Sequence, residues 1–446
     1  MDILATLRAA IAVYAVAAGV VVEWVWAPRG LVQIPCAAAM VIGLPVLVLS
    51  CVLVVFALVM KVCSEITGPE TDAPTESFYE IRDKELAQRY QGRKMPIDVA
   101  YEAYMAEKLE FKGDLYTVLK NHRQDLFRFV ITWAHVKYFL TTLIPQALYH
   151  SKQMDDGEVT NVYNRGNDFY NWFLGDTMIY TSGVYKSEDD TLEIAQTRKM
   201  TNICRMLHLE KGHKLLDIGC GWGSLVRHAS KTVGAKTMGI TICQEQINWA
   251  REGIAKDGIA DICNVQLMDY RDLPMQKWDR ISCIEMAEHV GVLRFQSFIK
   301  MVKDRLEDDG LFFLQIAGLR RRWIFEDLCW GMFMGTYIFP AADASCPLAW
   351  VIGQLESAGF EIQSVQNIGI HYSITLKQWY DKWLSNRDAI VAKYGTWWFR
   401  LWCFFLSWSS IIASQGSSTC WQIVCHKNRN ETDRMRNVSH RAEIAA

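Results

Sequence analysis

The sequence predicts an α/β fold, a doubly wound and mostly parallel sheet, preceded by an N-terminal two-helix transmembrane hairpin. Three observations carry this. From Thr191 onward, short apolar runs alternate with stretches of helical period. A glycine-rich loop separates the first such run from the helix after it. Near the N-terminus, Ile34–Met60 runs 27 residues without a charge, longer than the ~20 that span a bilayer.

Composition narrows the class. Of 446 residues, 51% are hydrophobic and 22% charged, with a formal net charge of −2. That supports a large core and gives no basic excess to attract nucleic acid. The 13 cysteines are odd in number and scattered, without a C-x-x-C pair. Reduced thiols facing the cytosol follow, and neither a disulfide framework nor a metal site is expected.

The hairpin is read over residues 1–62. Ala9–Ala27 is apolar except for Glu23, Pro28-Arg29-Gly30 links, and Ile34–Met60 spans, with Pro45 inside it. A cleaved signal peptide is the rival reading of the first run. Only Arg8 precedes that run, and Glu23 falls where small residues should precede cleavage. Arg8 and Lys61 at the flanks favour both ends cytosolic. The expected address is an internal membrane, endoplasmic reticulum or Golgi, with the main domain in the cytosol.

Residues 63–150 read as a polar linker leading into an amphipathic helical region. Phe127–Leu148 is too polar to span, so it either lies in the interface or packs on the main domain. The main domain is read over 151–430, with a polar tail over 431–446. Within it, helices are expected over Thr191–Leu209, Ser224–Val233, Gln244–Asp257 and Phe295–Leu306. Strands are expected over Lys214–Ile218, Lys236–Ile242, Asn264–Met268, Arg280–Glu285 and Gly310–Ile316. Such sheets bind ligands at the carboxyl ends of their strands.

The central motif is Leu215-Leu216-Asp217-Ile218-Gly219-Cys220-Gly221-Trp222-Gly223. Its glycines allow a sharp turn and the close approach of a flat ligand. The helix that follows offers free N–H groups to an anionic group. The Gly-x-Gly-x-Gly spacing, with an Asp two residues ahead, resembles motif I of class I methyltransferases more than a nicotinamide fingerprint. A plain βα turn is the alternative. No acid caps the second strand; Thr241 and Gln246 stand there instead. After the third strand, Asp269-Tyr270-Arg271 offers an acid and an aromatic suited to an adenine, or else an ordinary surface turn.

Taken with Tyr163-Asn164-Arg165-Gly166-Asn167, Met178-Ile179-Tyr180-Thr181-Ser182-Gly183 and Glu285-Met286-Ala287-Glu288-His289-Val290-Gly291, the chain resembles the cyclopropane-fatty-acid synthase family. Within it the likeness is to fungal-type sphingolipid 9-methyltransferases. It is carried by Ile338-Phe339-Pro340-Ala341-Ala342-Asp343, His371-Tyr372-Ser373 and Gln415-Gly416-Ser417-Ser418-Thr419-Cys420-Trp421-Gln422.

The resemblance implies S-adenosyl-L-methionine as methyl donor and a membrane lipid, ceramide or glucosylceramide, as acceptor. It implies that Tyr180 and Thr181 close over the cofactor. Asp217 and the loop of Gly219, Gly221 and Gly223 would meet its methionine end. Thr241, Ile242 and Gln246 would line the ribose, and Tyr270 with Arg271 the adenine. Ring-forming relatives hold a bicarbonate base with a Cys, a Glu, a His and a Tyr. Here Glu288 and Tyr372 match, but Ser182 and Gln315 replace the Cys and the His. The altered anion site weighs against bicarbonate and for a methyl branch, with Glu288 assigned the essential carboxylate.

Blander readings stand beside these. Glu288 could form a structural ion pair, and Tyr372 could be a core tyrosine. Trp397–Trp408 either dips into the bilayer or forms a core helix. The competing functions are a cyclopropane synthase acting on phospholipid chains and a non-catalytic membrane scaffold.

Overall fold

A computed structural model describes residues 71, 73–138, 141, 165–340 and 346–429. The hairpin expected over 1–62, the tail over 431–446 and most of 139–164 lie outside the described residues. The chain forms two units, residues 1–66 with 131–136, and residues 67–130 with 137–446. The second unit holds all of the described strands.

Residues that read as linker and helix build a small layer. Tyr79–Ile81 pairs antiparallel with Leu109–Phe111. Between and after these strands lie α1 (Ile97–Met105) and α2 (Leu115–Leu126), the latter capped by the Asp114 carboxylate on Thr117 N at 2.9 Å. Tyr79 and Tyr90 are buried here, in a stretch whose charge suggested only a connection. Next come α3 (Asn167–Leu174) and α4 (Leu192–Met206).

The main sheet follows the expected alternation. Its strands are β1 (Lys214–Ile218), β2 (Lys236–Thr241), β3 (Cys263–Leu267), β4 (Trp278–Ile284), β5 (Leu306–Leu319), β6 (Phe360–Asn367) and β7 (Ser418–Lys427). The order is β3-β2-β1-β4-β5-β7-β6. β1 to β5 run parallel, and β7 runs antiparallel between β5 and β6. β1 is buried from Leu215 to Ile218, as expected of a strand covered on both faces.

The covering helices are α5 (Ser224–Val233), α6 (Gln244–Asp257), α7 (Val292–Arg305), α8 (Phe325–Phe333), α9 (Leu348–Ser357), α10 (Gly369–Ser385) and α11 (Thr396–Ser414). The stretch that read as either bilayer-dipping or core is α11. It is buried without a break from Phe399 to Ala413, so it is a core helix. Trp402 on α11 packs with Trp383 on α10, and both pack with Phe169 on α3, while Trp408 packs with Phe333 on α8. Arg400 is held there by Glu110 at 2.5 Å. Among the described residues, no helix is long and apolar enough to cross a membrane, and the ten described cysteines are buried and form no disulfide with one another.

Candidate active site

A cleft opens at the carboxyl ends of β1 to β4, where a doubly wound sheet places its ligands. Its floor is the loop after β1. Gly219 and Gly221 have φ of 78° and 52°, left-handed values that favour glycine. A Cβ on Gly219 would lie 2.5 Å from Met286 Cγ, whereas one on Gly221 would meet no protein atom within 4 Å. Gly219 therefore lets two chain segments touch, and Gly221 leaves room above the loop. Gly223 is not in the lining. It ends the loop under α6, where a Cβ would meet Ala250 Cβ at 2.9 Å.

The upstream segment packs over this loop. Trp222 Nε1 donates to Asn167 Oδ1 at 2.8 Å, and Ser224 Oγ donates to Thr177 O at 2.7 Å. Tyr180 and Thr181 line the cleft together with Asp217, Thr241, Ile242, Gln246, Tyr270 and Arg271. Thr241 Oγ1 donates to Gln246 Oε1 at 2.7 Å, in the position that lacks the acid. Asp269 caps the turn after β3, accepting from Arg271 N at 2.8 Å and pairing with its guanidinium at 2.6 Å. The Arg271 guanidinium lies 5.2 Å from the Tyr270 ring centre.

Two charged groups line the floor. Asp217 accepts from Ser282 Oγ at 2.6 Å, and burial pushes its carboxyl up to about 6. Lys199, fully buried on α4, donates to Thr181 Oγ1 at 2.5 Å, and burial lowers its ammonium to about 8. Sequence reading missed Lys199. The available signal was its phase, because it follows Leu192, Ala195 and Gln196 on the buried face of α4.

The four residues expected to do chemistry lie outside this lining, and three of them converge on one carboxylate that the sequence did not single out. Glu285 leaves the end of β4 at φ 50°, a strained value for a residue with a Cβ. Its Oε1 accepts from Gln315 Nε2 at 2.6 Å, Ser182 N at 3.2 Å and the Cys420 thiol at 3.7 Å. Its Oε2 accepts from the Tyr372 hydroxyl at 2.7 Å. Gln422 Nε2 donates to Gln315 Oε1 at 2.9 Å, which turns the Gln315 amide so that its NH₂ faces Glu285. The Ser182 hydroxyl donates to Gly183 O, so only its backbone N–H serves. Burial and the nearby Glu285 hold the Tyr372 hydroxyl well above its ordinary value, keeping it a donor.

Glu288 lies one turn further on. Its Oε1 accepts from Ala317 N at 2.6 Å, and its Oε2 has no hydrogen-bond partner among the described residues. Burial first, then the charge of Glu285, push its carboxyl up to about 8. A missed clue to Glu285 was the pair itself, two carboxylates three residues apart as the chain leaves an apolar strand.

Residues 150–423 match the family model described as mycolic acid cyclopropane synthetase. The chain is 47% identical over 376 residues to the sphingolipid C9-methyltransferase of Komagataella phaffii, covering 82% of this chain and 77% of that one. It is 45% identical to sphingolipid C9-methyltransferase 2 of Gibberella zeae, covering 81% and 71%. Among solved structures, the mycolic acid cyclopropane synthase CmaA1 complexed with SAH and CTAB aligns at a TM-score of 0.59 and 25% identity, over 61% of this chain and 98% of that one. The sheet order, the glycine-floored cleft and these matches converge. The chain belongs to the mycolic acid cyclopropane synthetase family, and it is an S-adenosylmethionine-dependent C-methyltransferase of class I fold.

Proposed function

We propose that the chain methylates carbon 9 of the unsaturated sphingoid base of ceramide or glucosylceramide and restores the double bond. The observation that carries this is the match, over four-fifths of the chain, to proteins named sphingolipid C9-methyltransferase. The cleft supports the chemistry.

The residues fit the cofactor. The space left by the missing Gly221 Cβ suits its methionine end. The Lys199 ammonium suits the carboxylate of that end and Asp217 its amino group. Thr241, Ile242 and Gln246 suit the ribose, and Tyr270 and Arg271 the adenine. Tyr180 and Thr181 close that side, while Gly219 and Gly223 let the loop pack as it does. When bound, S-adenosylmethionine supplies an electrophilic methyl on a sulfonium.

The chain's own work is to hold an alkene in line with that methyl and to keep water out. Tyr180 on the cleft lining serves both ends, backed by the buried rings of Phe173 and Trp379, the three packing within 6 Å of one another. Attack by the alkene leaves a carbocation on the neighbouring carbon. Loss of a proton from the methylated carbon restores the alkene, whereas loss from the new methyl would close a ring.

The lipid substrate places the enzyme at a membrane, and the proposed organisation keeps the anchoring hairpin at 1–62. A connecting region (63–150), the catalytic domain (151–430) and a tail (431–446) follow. The cofactor's cytosolic origin favours a cytosolic catalytic domain on the endoplasmic reticulum or Golgi. A second contact with the bilayer is offered by the exposed run Arg321-Arg322-Trp323-Ile324-Phe325.

The test uses membranes holding the protein, a pool of sphingadienine ceramides and unsaturated phospholipids, and cofactor with a fully deuterated methyl. Ceramide gaining three deuteriums is expected. Phospholipid gaining two would mean a ring and overturn the reading.

A further inference from the structure

The bicarbonate held by ring-forming relatives, already disfavoured by the changes at Ser182 and Gln315, does not fit this site. The groups assigned to hold it are already spent, because Ser182 N, Gln315 Nε2 and the Tyr372 hydroxyl all donate to the Glu285 carboxylate. A free anion there would meet a fixed negative group at hydrogen-bond range of its own donors. Three carboxylates line the cleft, Asp217, Asp269 and Glu285. Asp269 is tied to Arg271, and Asp217 lies on the glycine-loop side with Ser282. Glu285 gathers donors from the upstream segment, β5, β7 and α10, and its strained backbone aims it there.

We propose that Glu285 is the general base of the reaction, a built-in carboxylate standing in place of a bound bicarbonate. The inference rests on the functional reading above. The step balances. The alkene's electron pair forms the new C–C bond, and the S–CH₃ bond breaks with its pair left on sulfur. The C–H bond at the methylated carbon then breaks, its pair re-forms the double bond, and the proton goes to Glu285 Oε2. Among the described residues that oxygen accepts from Tyr372 alone, so one lone pair stays open. A C–H beside a carbocation is acidic enough for a carboxylate, and the negative group also favours the developing cation.

The experiment compares full-length wild type, Glu285→Gln and Glu285→Gly in membranes, with deuterated cofactor and sphingadienine ceramide. Bicarbonate is either removed or added back. Glu285→Gln keeps the size and some of the hydrogen bonds, and Glu285→Gly relieves the strain at φ 50°, so one of the two is expected to fold. Turnover should fall about 100-fold or more in each, while affinity for S-adenosylhomocysteine stays within about threefold. Added bicarbonate should restore turnover to Glu285→Gly and leave Glu285→Gln unchanged. In ¹³C spectra, labelled bicarbonate should broaden with Glu285→Gly and stay sharp with wild type. Wild-type turnover that needs bicarbonate, or a Glu285→Gln enzyme within about threefold of wild type, would overturn the base. A wild type that methylates phospholipid and leaves ceramide untouched would instead overturn the functional reading, and the base with it.

Discussion

At the level of single residues, the site separates two carboxylates by environment. Glu285 faces the cleft among four donors, while Glu288 is buried with one oxygen unpartnered among the described residues. The Glu288 carboxyl sits near 8 against an ordinary 4.5. Between those values the folded chain keeps a proton that the unfolded chain releases, so stability falls as pH rises. Asp217 acts in the same sense only below about 6, and Lys199 acts in the opposite sense only above about 8. His228 and His371, lowered by burial, act below 6.5. From pH 6.5 to 8 the largest single part of the slope therefore belongs to Glu288, and the buried cysteines, raised by burial, add to it in the same sense only towards pH 8. Over that window wild type should lose up to about 2 kcal/mol, at roughly 1.4 kcal/mol per unit. Glu288→Gln, which never ionises, should lack that loss. Urea midpoints at pH 6.5, 7 and 8 check this, and parallel slopes in the two proteins would contradict the assignment.

At the level of elements, the loop after β1 does two jobs that two alanines can separate. At Gly219 the new Cβ would sit 2.5 and 2.6 Å from Met286 Cγ and Cβ, so β4's exit or the loop must shift. Gly219→Ala should destabilise the fold by about 1–3 kcal/mol. At Gly221 the new Cβ meets no protein, and only the left-handed backbone resists it, at about 1–2 kcal/mol. Gly221→Ala should instead weaken S-adenosylhomocysteine about tenfold or more, the equivalent of roughly 1.4 kcal/mol. Thermal melts and calorimetric titrations of both variants, run with and without ligand, distinguish the two. This loop, with β1 to β5 and their helices, was legible because apolar runs between turn residues mark covered strands. Three things were not. β6 and β7 carry polar residues such as Gln366 and Gln422 among their apolar ones, which blurs the period. The short strands over 79–111 are too brief to show one. Glu285 reads as an ordinary strand boundary, because its partners Ser182, Gln315 and Tyr372 are far apart in the chain and only folding brings them together.

At the level of the whole molecule, the proposed function would have a catalytic unit with a well-covered sheet meet its lipid substrate at a bilayer. Five consecutive residues, Arg321 to Phe325, are exposed, and Trp323, Ile324 and Phe325 keep 55%, 47% and 58% of their surface in water. Large apolar side chains beside arginines suit the interface of an anionic membrane, where rings enter the headgroup layer and guanidinium groups meet phosphates. The base of this loop is fixed. Arg123 holds buried Glu326 at 2.7 Å, and Arg320 holds buried Asp327 at 2.9 Å. The exposure of the tip is thus imposed by anchored neighbours. Trp323→Ser with Phe325→Ser removes most of the apolar contact without touching those anchors. If the tip inserts, KM for long-chain ceramide in vesicles with anionic lipid should rise about tenfold, since burying one such ring contributes about 1.5–3 kcal/mol. The kcat/KM for a detergent-dispersed short-chain ceramide should stay within about twofold, because the cleft is unaltered. Equal losses on both substrates would place the loop's role in folding, and no loss on vesicles would contradict insertion of the tip.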